Sequence, residues 1–173
     1  MKKSISIVMG SDSDLPVVKD ATKILSEFGV PYEIDILSAH RAPDATLAFA
    51  KNASKKGVRV IIAAAGGAAH LAGVIASHFP LPVIGIPIKS STLSGIDSLY
   101  SIVQMPPGIP VATVGINGAQ NASLLAIQIL ATSDKKLEKK LVDYKKGLAK
   151  KVLEKSEKLK KLGVERYLLE IKK

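Results

Sequence analysis

A regular alternation of short apolar runs with segments of helical spacing is the feature that most constrains this chain. The runs at 4–9, 32–37, 58–63, 83–86 and 111–114 predict five strands. Between them, helical spacing covers 15–28, a stretch from Pro43 to a stop at Gly57, a short segment at 70–77, and 117–132. Strands that alternate with helices over short links predict a parallel sheet with helices on both faces.

This pattern predicts an α/β fold with a flavodoxin-like, doubly wound sheet of five parallel strands in a three-layer arrangement. The run at 58–63 is apolar without interruption, as expected for a strand covered on both faces. In sheets of this kind, ligands bind beyond the carboxyl ends of the strands. A functional site is therefore expected in the loops that follow the strands.

The C-terminal segment carries most of the positive charge. Residues 134–173 contain 15 basic and 7 acidic residues, so they contribute +8 to the formal net charge of +10. The nearly neutral remainder argues against a nucleic-acid partner and for a solvated helix face. An apolar stripe at helical spacing accompanies these lysines, and it consists of Leu137, Leu141, Tyr144, Leu148 and Val152.

We interpret the tail as one amphipathic helix that begins with Ser133 or Asp134 as its cap. This predicts a catalytic domain over 1–133 and a C-terminal helical extension over 134–173. The apolar stripe requires cover, so the extension is expected to pack on the same domain or on a neighbouring subunit.

Several classes of protein are disfavoured by composition. The chain has no cysteine, which excludes disulfides and thiolate metal sites and points to a reducing compartment. The apolar run at 5–9 is too short for a signal peptide. No apolar stretch reaches the roughly 18 residues of a membrane span. We expect a soluble, cytoplasmic protein with no membrane partner.

The loop after the first strand contains the sequence Gly-Ser-Asp-Ser-Asp at 10–14. Backbone N–H groups at a helix N-terminus, together with the hydroxyls of Ser11 and Ser13, can hold a phosphate. A carboxylate would repel that phosphate, so Asp14 is expected either to cap the helix or to bind ribose hydroxyls. A plain Ser/Asp turn is the alternative interpretation of the loop.

The loop after the second strand places Ser38 near a histidine and an arginine, His40 and Arg41. Histidine can move protons near neutral pH, and arginine can bind a phosphate through two parallel hydrogen bonds. The alternative is that His40 merely caps the next helix.

The loop after the third strand, 63–70, is almost free of side chains and includes Gly66. A flat ring could lie against such a backbone, although tight helix–sheet packing also selects Ala and Gly. His70 at its end could contact a substrate or cap a helix, whereas His78 is interpreted as structural. The polar region at 89–108 is interpreted as a lid or a subunit contact.

Together these loops predict a site for a small phosphorylated ligand with a flat ring, served by histidine acid–base chemistry. No carboxylate–histidine cluster has the spacing of metal ligands, so no metal is expected.

Five motifs in order resemble the small-subunit family of aminoimidazole ribonucleotide carboxylases and mutases. They are Met-Gly-Ser-Asp-Ser-Asp at 9–14, Ser-Ala-His-Arg at 38–41, Gly-Gly-Ala-Ala-His-Leu at 66–71, Leu-Ser-Gly-Ile-Asp-Ser-Leu-Tyr-Ser at 93–101 and Val-Gln-Met-Pro at 103–106. The resemblance runs from about residue 5 to 130. It departs from the family at Ala64, where glycine is usual, and at Ala72, where proline is usual.

The resemblance implies a flavodoxin-like homo-octamer without cofactor. The third loop is similar to the branch that isomerises N5-carboxyaminoimidazole ribonucleotide to its 4-carboxy isomer in purine biosynthesis. The implied roles are general acid–base for His40, phosphate and ribose binding for Ser11 and Asp14, and phosphate binding for Arg41. Ser13 and Ser38 are expected to add hydrogen bonds.

Three other functions remain open at this point. One is direct carboxylation of aminoimidazole ribonucleotide with CO2, a lyase reaction of the same family. Another is a nucleotide-binding module without catalysis. The third is polyanion binding by the lysine-rich tail.

Overall fold

The computed structural model describes residues 4–171 and contains a five-stranded sheet in which every neighbouring pair is parallel. The strands are β1 Ile5–Met9, β2 Tyr32–Ile36, β3 Val60–Gly66, β4 Val83–Ile88 and β5 Ala112–Thr113. Their order is β2-β1-β3-β4-β5. This is the doubly wound, flavodoxin-like order, so the predicted fold class is confirmed.

Over residues 4–171, six α-helices accompany the strands: α1 Leu15–Phe28, α2 Pro43–Ala53, α3 Leu71–Ala76, α4 Ile96–Val103, α5 Ala119–Ala131 and α6 Lys135–Ile171. Helices α1 and α5 cover one face of the sheet, together with the start of α6. Helices α2, α3 and α4 cover the other face. The sheet is therefore the middle of three layers, as predicted.

The alternation of side chains along each strand supplies both cores. In β1, Ile5, Ile7 and Met9 point to the α1–α5 face, while Val8 points to the α2–α3 face. All four side chains are buried. Burial on both faces explains why β3 and β4 carry no polar side chain, rather than alternating apolar with polar residues.

Helix α1 illustrates how closely local pattern fixes an element. Pro16 lies in its first turn, and its C-cap is Gly29 in the left-handed conformation (φ 69°). Val18, Leu25 and Phe28 lie on its buried face. The predicted bounds of this helix, 15–28, match the structure.

Helix α4 was not predicted. Residues 96–103 form two helical turns within the region interpreted from sequence as a lid or a contact loop. Ile102 is buried against the sheet, but Ile96, Tyr100 and Val103 are exposed. The helix is too short, and too few of its apolar side chains face the core, for a clear periodic signal.

The tail differs from the prediction at its far end. Asp134 caps α6, because its Oδ1 accepts hydrogen bonds from the backbone N–H groups of Lys136 (2.9 Å) and Leu137 (3.2 Å). The helix then breaks at Gly163, whose φ of 72° and ψ of 168° are not helical. The expectation of one unbroken helix was therefore wrong, since glycine tolerates a backbone conformation that ends helical hydrogen bonding.

The first part of α6 packs on the domain. Leu141 is buried in the α1–α5 core, and the ring centroid of Tyr144 lies 5.5 Å from that of Phe28. The Nζ of Lys140 donates a hydrogen bond of 2.7 Å to the carbonyl of Phe28. Within residues 4–171, no helix has the length and apolar character needed to cross a membrane.

Candidate active site

A cavity of about 670 Å³ opens at the carboxyl ends of β1 to β4. It brings together every site residue predicted from the sequence. These residues are Ser11, Ser13, Asp14, Ser38, His40, Arg41, Gly66 and His70. Their side chains and backbone come from three separate loops, which meet because parallel strands all end at one edge of the sheet.

The first wall is the turn between β1 and α1. The Oγ of Ser11 accepts a hydrogen bond of 3.3 Å from the backbone N–H of Ser13, which starts a single 3-10 turn over Asp12–Asp14. Asp14 is the N-cap residue of α1, but its side chain makes no capping hydrogen bond. Asp14 thus occupies the capping position of the helix without a capping hydrogen bond from its carboxylate, and the residue lines the cavity.

The Asp14 carboxyl is nearly buried, with 6% of the residue exposed. Desolvation by this burial raises its pKa above the ordinary value of 3.8, and the nearby charge of Asp12 acts in the same direction. Hydrogen bonds from the backbone of Ser11 and the hydroxyl of Ser13 offset part of the rise. The folded protein therefore holds the proton of this carboxyl more tightly than the unfolded chain does.

The second wall is the loop between β2 and α2, and Arg41 ties it to the first. The Nη2 of Arg41 donates a hydrogen bond of 2.9 Å to the carbonyl of Gly10. The Oγ of Ser38 accepts from the backbone N–H of Arg41 at 3.1 Å and from its Nε at 3.4 Å. The N-cap residue of α2 is Ala42, so the alternative that His40 caps this helix is wrong.

The two histidines of the cavity contact each other. The Nε2 of His40 and the Nδ1 of His70 are 2.9 Å apart, and the rings meet edge to face with centroids 5.0 Å apart. His70 is the N-cap residue of α3, but its side chain makes no capping hydrogen bond. Its imidazole therefore contacts His40 in the cavity and does not cap the helix.

The floor is the turn after β3, which includes Gly66 and Gly67. Gly67 has a φ of 65°, a conformation that disfavours larger residues. The Oγ of Ser98 accepts a hydrogen bond of 2.8 Å from the Gly67 N–H and donates one of 2.7 Å to the Ile88 carbonyl. Helix α4, which carries Ser98, thus holds the floor to the end of β4.

The two departures from the family motifs lie beneath the floor. Ala64 and Ala72 are fully buried and neither lines the cavity. The methyl group of Ala64 packs in the α1–α5 core and so does not narrow the pocket floor.

A third wall, from the loop after β4, was not assigned site residues by the sequence analysis. Lys89, Ser90 and Asp97 line the cavity. The Ser90 Oγ donates a 2.7 Å hydrogen bond to the Oδ1 of Asp97 and accepts from the backbone N–H of Gly95 at 3.2 Å. This bond lowers the pKa of Asp97. The sequence offers one signal for these residues, their place after the fourth strand, but that signal does not distinguish a wall of the site from a lid or a subunit contact.

Histidine and carboxylate side chains in the described part of the chain do not form a group of three or more arranged to hold a metal ion. The chemistry that the cavity itself offers is acid–base chemistry by two imidazoles, beside hydroxyls and a guanidinium that could bind an anion, and a backbone floor.

Comparison with known proteins places the chain among relatives of one kind. A sequence model described as AIR carboxylase matches residues 4–151. The chain is 59% identical over 169 residues to N5-carboxyaminoimidazole ribonucleotide mutase of Pyrococcus horikoshii, covering 98% of this chain and 96% of that protein.

A longer relative is similar over a part of its length. The chain is 56% identical over 163 residues to phosphoribosylaminoimidazole carboxylase of Schizosaccharomyces pombe, covering 94% of this chain but 30% of that protein. Among solved structures, a PurE2 variant from Treponema denticola superposes with a TM-score of 0.85 at 30% identity, over 92% of this chain and 99% of that one.

Proposed function

The chain belongs to the AIR carboxylase family, and from this membership we propose that it is a mutase of de novo purine biosynthesis. It is an isomerase that converts N5-carboxyaminoimidazole ribonucleotide to 4-carboxy-5-aminoimidazole ribonucleotide. The observation that carries this proposal is the single cavity shared by Ser11, His40 and Gly66. An anion-binding wall, an acid–base group and a flat floor are the three parts that this reaction needs.

The mutase reaction is favoured over direct carboxylation by the relatives of matching length. The chain spans 96% of the P. horikoshii mutase but only 30% of the S. pombe carboxylase. The third loop, Gly-Gly-Ala-Ala-His-Leu at 66–71, resembles the mutase branch as well.

The nucleotide's phosphate is assigned to the wall between the loops after β1 and β2. Arg41 already directs its guanidinium across this wall to Gly10, and it has further N–H groups for phosphate oxygens. Ser11, Ser13 and Ser38 supply hydroxyls around the same spot. Together these groups provide one fixed positive charge and three hydroxyls, of which those of Ser11 and Ser13 donate to Asp12 and Asp14 and would have to turn from them to reach a phosphate.

The positions of the ribose and of the imidazole ring follow from the assigned position of the phosphate. Asp14 lies beside the phosphate wall with a carboxyl that is nearly buried, and it is assigned to the ribose hydroxyls, which it can bind as an acceptor. The imidazole ring lies against the backbone of Gly66 and its neighbours, where no side chain intervenes. His70 is assigned a contact with the substrate through its Nε2, because its Nδ1 is engaged with His40.

His40 is assigned as the general acid–base. The carbamate C–N bond breaks and releases CO2, while the imidazolium of His40 donates a proton to the exocyclic nitrogen. The ring carbon then attacks the CO2 and forms the new C–C bond. The proton that this carbon loses passes to the neutral His40. One proton thus moves from carbon to nitrogen, and His40 ends in its starting state.

The cavity's role is to keep the CO2 beside the ring until it is recaptured. A confined site holds the CO2 at high effective concentration, which makes the second step effectively intramolecular. The substrate already carries the carboxyl group that migrates, so the proposed route requires no ATP, biotin or metal ion.

We also propose a cytoplasmic homo-octamer built on a catalytic domain of residues 1–133 with a helical extension of residues 134–173. Apolar side chains on the far half of α6 support a subunit contact, since Val152, Leu153 and Leu169 are 65%, 65% and 69% exposed. Exposed apolar residues on one helix are typical of a surface that a partner covers. Light scattering on the full chain and on one ending at residue 147 gives the number of chains in each assembly. We expect eight chains for the full protein and fewer for the shortened one. An equal number of chains in both would contradict the subunit contact.

The enzymatic proposal is tested by following the carbamate substrate spectroscopically, with and without ¹³C-bicarbonate. We expect the wild type to isomerise the carbamate rapidly and at the same rate with and without bicarbonate, and to place little ¹³C in the product. The His40→Asn variant should show no detectable isomerisation. Turnover of aminoimidazole ribonucleotide that depends on bicarbonate, without use of the carbamate, would establish a direct carboxylase. Binding of both nucleotides without turnover would establish a non-catalytic module. Either result overturns the proposal.

A further inference from the structure

The contact between His40 and His70 constrains where a proton can reside. The Nε2 of His40 and the Nδ1 of His70 are 2.9 Å apart, so one of these two nitrogens carries a hydrogen and the other accepts it. Two lone pairs at that distance would repel each other. The direction of this hydrogen bond therefore selects a tautomer for both imidazoles.

Backbone hydrogen bonds fix the two turns that carry these rings. The residues flanking His40 form a turn in which the backbone N–H of Ala42 donates to the carbonyl of Ser38 at 2.9 Å. The carbonyl of His70 accepts from Val74 at 3.0 Å within the start of α3. The pair is thus built from two loops, after β2 and after β3, each fixed by hydrogen bonds of its own.

Only one direction of the hydrogen bond suits the reaction assigned to His40. If His70 donates from Nδ1, a neutral His40 carries its own hydrogen on Nδ1 and cannot take up a proton there. If His40 donates from Nε2, its Nδ1 keeps a free lone pair. With Nε2 engaged by His70, Nδ1 is the nitrogen of His40 that is available to the substrate.

We propose that His70 is a positioning residue, which keeps the hydrogen of His40 on Nε2 so that Nδ1 exchanges the proton with the substrate. This inference rests on the proposed mutase function. When the His40 imidazolium gives its Nδ1 proton to the exocyclic nitrogen, the hydrogen on Nε2 stays with His70. The lone pair left on Nδ1 then accepts the proton from the ring carbon, and the hydrogen bond to His70 persists throughout.

Substitutions at residue 70 separate this role from a simple substrate contact. The Oδ1 of an asparagine can occupy the place of the histidine Nδ1 and accept the same hydrogen bond, whereas a glutamine places its amide near the position of Nε2. His70→Asn loses the Nε2 contact assigned to the substrate but keeps an acceptor for His40, so we expect its KM to rise while its kcat stays far above that of the other two variants. His70→Gln and His70→Leu should lower kcat by about 100-fold, the low end of an acid–base contribution, and His70→Gln should do so with little change in KM.

Two patterns of rates would overturn the inference. Full activity in all three variants would show that His40 does not depend on residue 70. Activity in His70→Gln together with loss in His70→Asn would show that the essential atom is Nε2, a direct substrate contact. Equilibrium binding of aminoimidazole ribonucleotide and the melting temperature serve as controls for the integrity of the cavity in each variant.

A second measurement needs neither a variant nor turnover. Nitrogen-15 NMR of the histidines in the wild-type chain reports which nitrogen of neutral His40 carries the hydrogen. We expect Nε2–H at His40 and an accepting Nδ1 at His70, with His78 as an exposed reference outside the cavity. Observation of Nδ1–H at His40 would overturn the inference. A wild type that fails to isomerise the carbamate would instead overturn the proposed function, leaving the tautomer result intact.

Discussion

The Nη2 of Arg41 donates a hydrogen bond of 2.9 Å to the carbonyl oxygen of Gly10. Residues 31 positions apart are thereby joined across the ends of β2 and β1, which are neighbours in the sheet. The bond aims the guanidinium along the wall to which the phosphate is assigned. In the proposed function, Arg41 therefore both shapes the phosphate site and supplies its charge.

We expect Arg41→Lys to weaken nucleotide binding although it preserves the charge. A lysine presents a single ammonium and cannot hold Gly10 and bind phosphate oxygens in the same geometry. Loss of one charge-assisted hydrogen bond, worth about 1.5–3 kcal/mol, raises the dissociation constant by about 10- to 100-fold. Titration calorimetry with aminoimidazole ribonucleotide measures the change. Arg59→Lys, at an exposed position outside the cavity, is the control and should bind normally.

We expect His40→Asn to remove catalysis and leave binding largely intact. The asparagine cannot exchange the proton, and the phosphate wall is unaltered, so turnover should fall by about 100- to 10,000-fold. Initial rates and equilibrium binding are measured on the same preparation. The exposed His78 provides the matched control, since His78→Asn should retain full rates. Near-normal turnover by His40→Asn would remove His40 from the mechanism.

Asp14→Asn should stabilise the free protein at neutral pH. Burial raises the folded-state pKa of Asp14 above its unfolded value of 3.8. The folded state therefore holds the proton more tightly, and the free energy of unfolding falls as the pH rises from 3.8 through the raised pKa. The amide of asparagine does not titrate, so the variant does not lose this free energy of unfolding as the pH rises. Its melting temperature should therefore exceed that of the wild type at pH 7.

The same Asp14→Asn substitution should also weaken binding of the nucleotide, because the proposed function assigns Asp14 to the ribose hydroxyls.

The stability prediction for Asp14→Asn is tested by urea unfolding from pH 3 to pH 7. The difference in the free energy of unfolding between variant and wild type should grow with pH in this window. Asp143→Asn, at an exposed position on α6, should show no such trend. A difference that shrinks with rising pH would contradict the inferred direction of the pKa shift.

Ser6→Ala should stabilise the protein. Ser6 in β1 is fully buried, and among the described residues its hydroxyl has no hydrogen-bond partner. Removing an unsatisfied buried hydroxyl should raise the free energy of unfolding by about 1 kcal/mol. The buried Ser123 is the converse case, because its Oγ donates to the carbonyls of Ala21 (3.1 Å) and Ala119 (3.2 Å). Chemical denaturation should show Ser123→Ala less stable than the wild type.

Gly163→Ala should change the shape of the tail and leave the catalytic domain unaffected. Lys158 and Glu170 form an ion pair across the break at Gly163, whereas in a straight helix twelve residues separate them by about 18 Å. Alanine disfavours the left-handed φ of residue 163, by about 1–2 kcal/mol, and favours a continuous helix. Spin labels at 156 and 171 should therefore move apart.

Gly147 offers the comparison for this tail experiment. It lies within α6 in open space and has no positive φ. Gly147→Ala should raise helix content without altering the distance between the labels. An unchanged distance between the labels in Gly163→Ala would show that contacts other than the glycine backbone keep the tail folded back at residue 163.

The sequence by itself determined the elements that depend on local pattern. Apolar runs and helical spacing predicted all five strands, and the bounds of α1 follow from its periodicity and from Gly29 at its end. The strand-end rule also predicted that the loops after β1, β2 and β3 meet, and the residues named in them do line one cavity. They meet because parallel strands share one direction, so that their following loops must lie at a common edge of the sheet.

Only the tertiary structure decided which atoms meet. His40 and His70 lie 30 residues apart, and their contact follows from the side-by-side packing of β2, β1 and β3. Helix α4 and the wall at Lys89 were missed since their order comes from Ser90 and Ser98 rather than from apolar periodicity. Hydrogen bonds between distant loops have no period along the chain, and their partners are fixed only once the sheet aligns them.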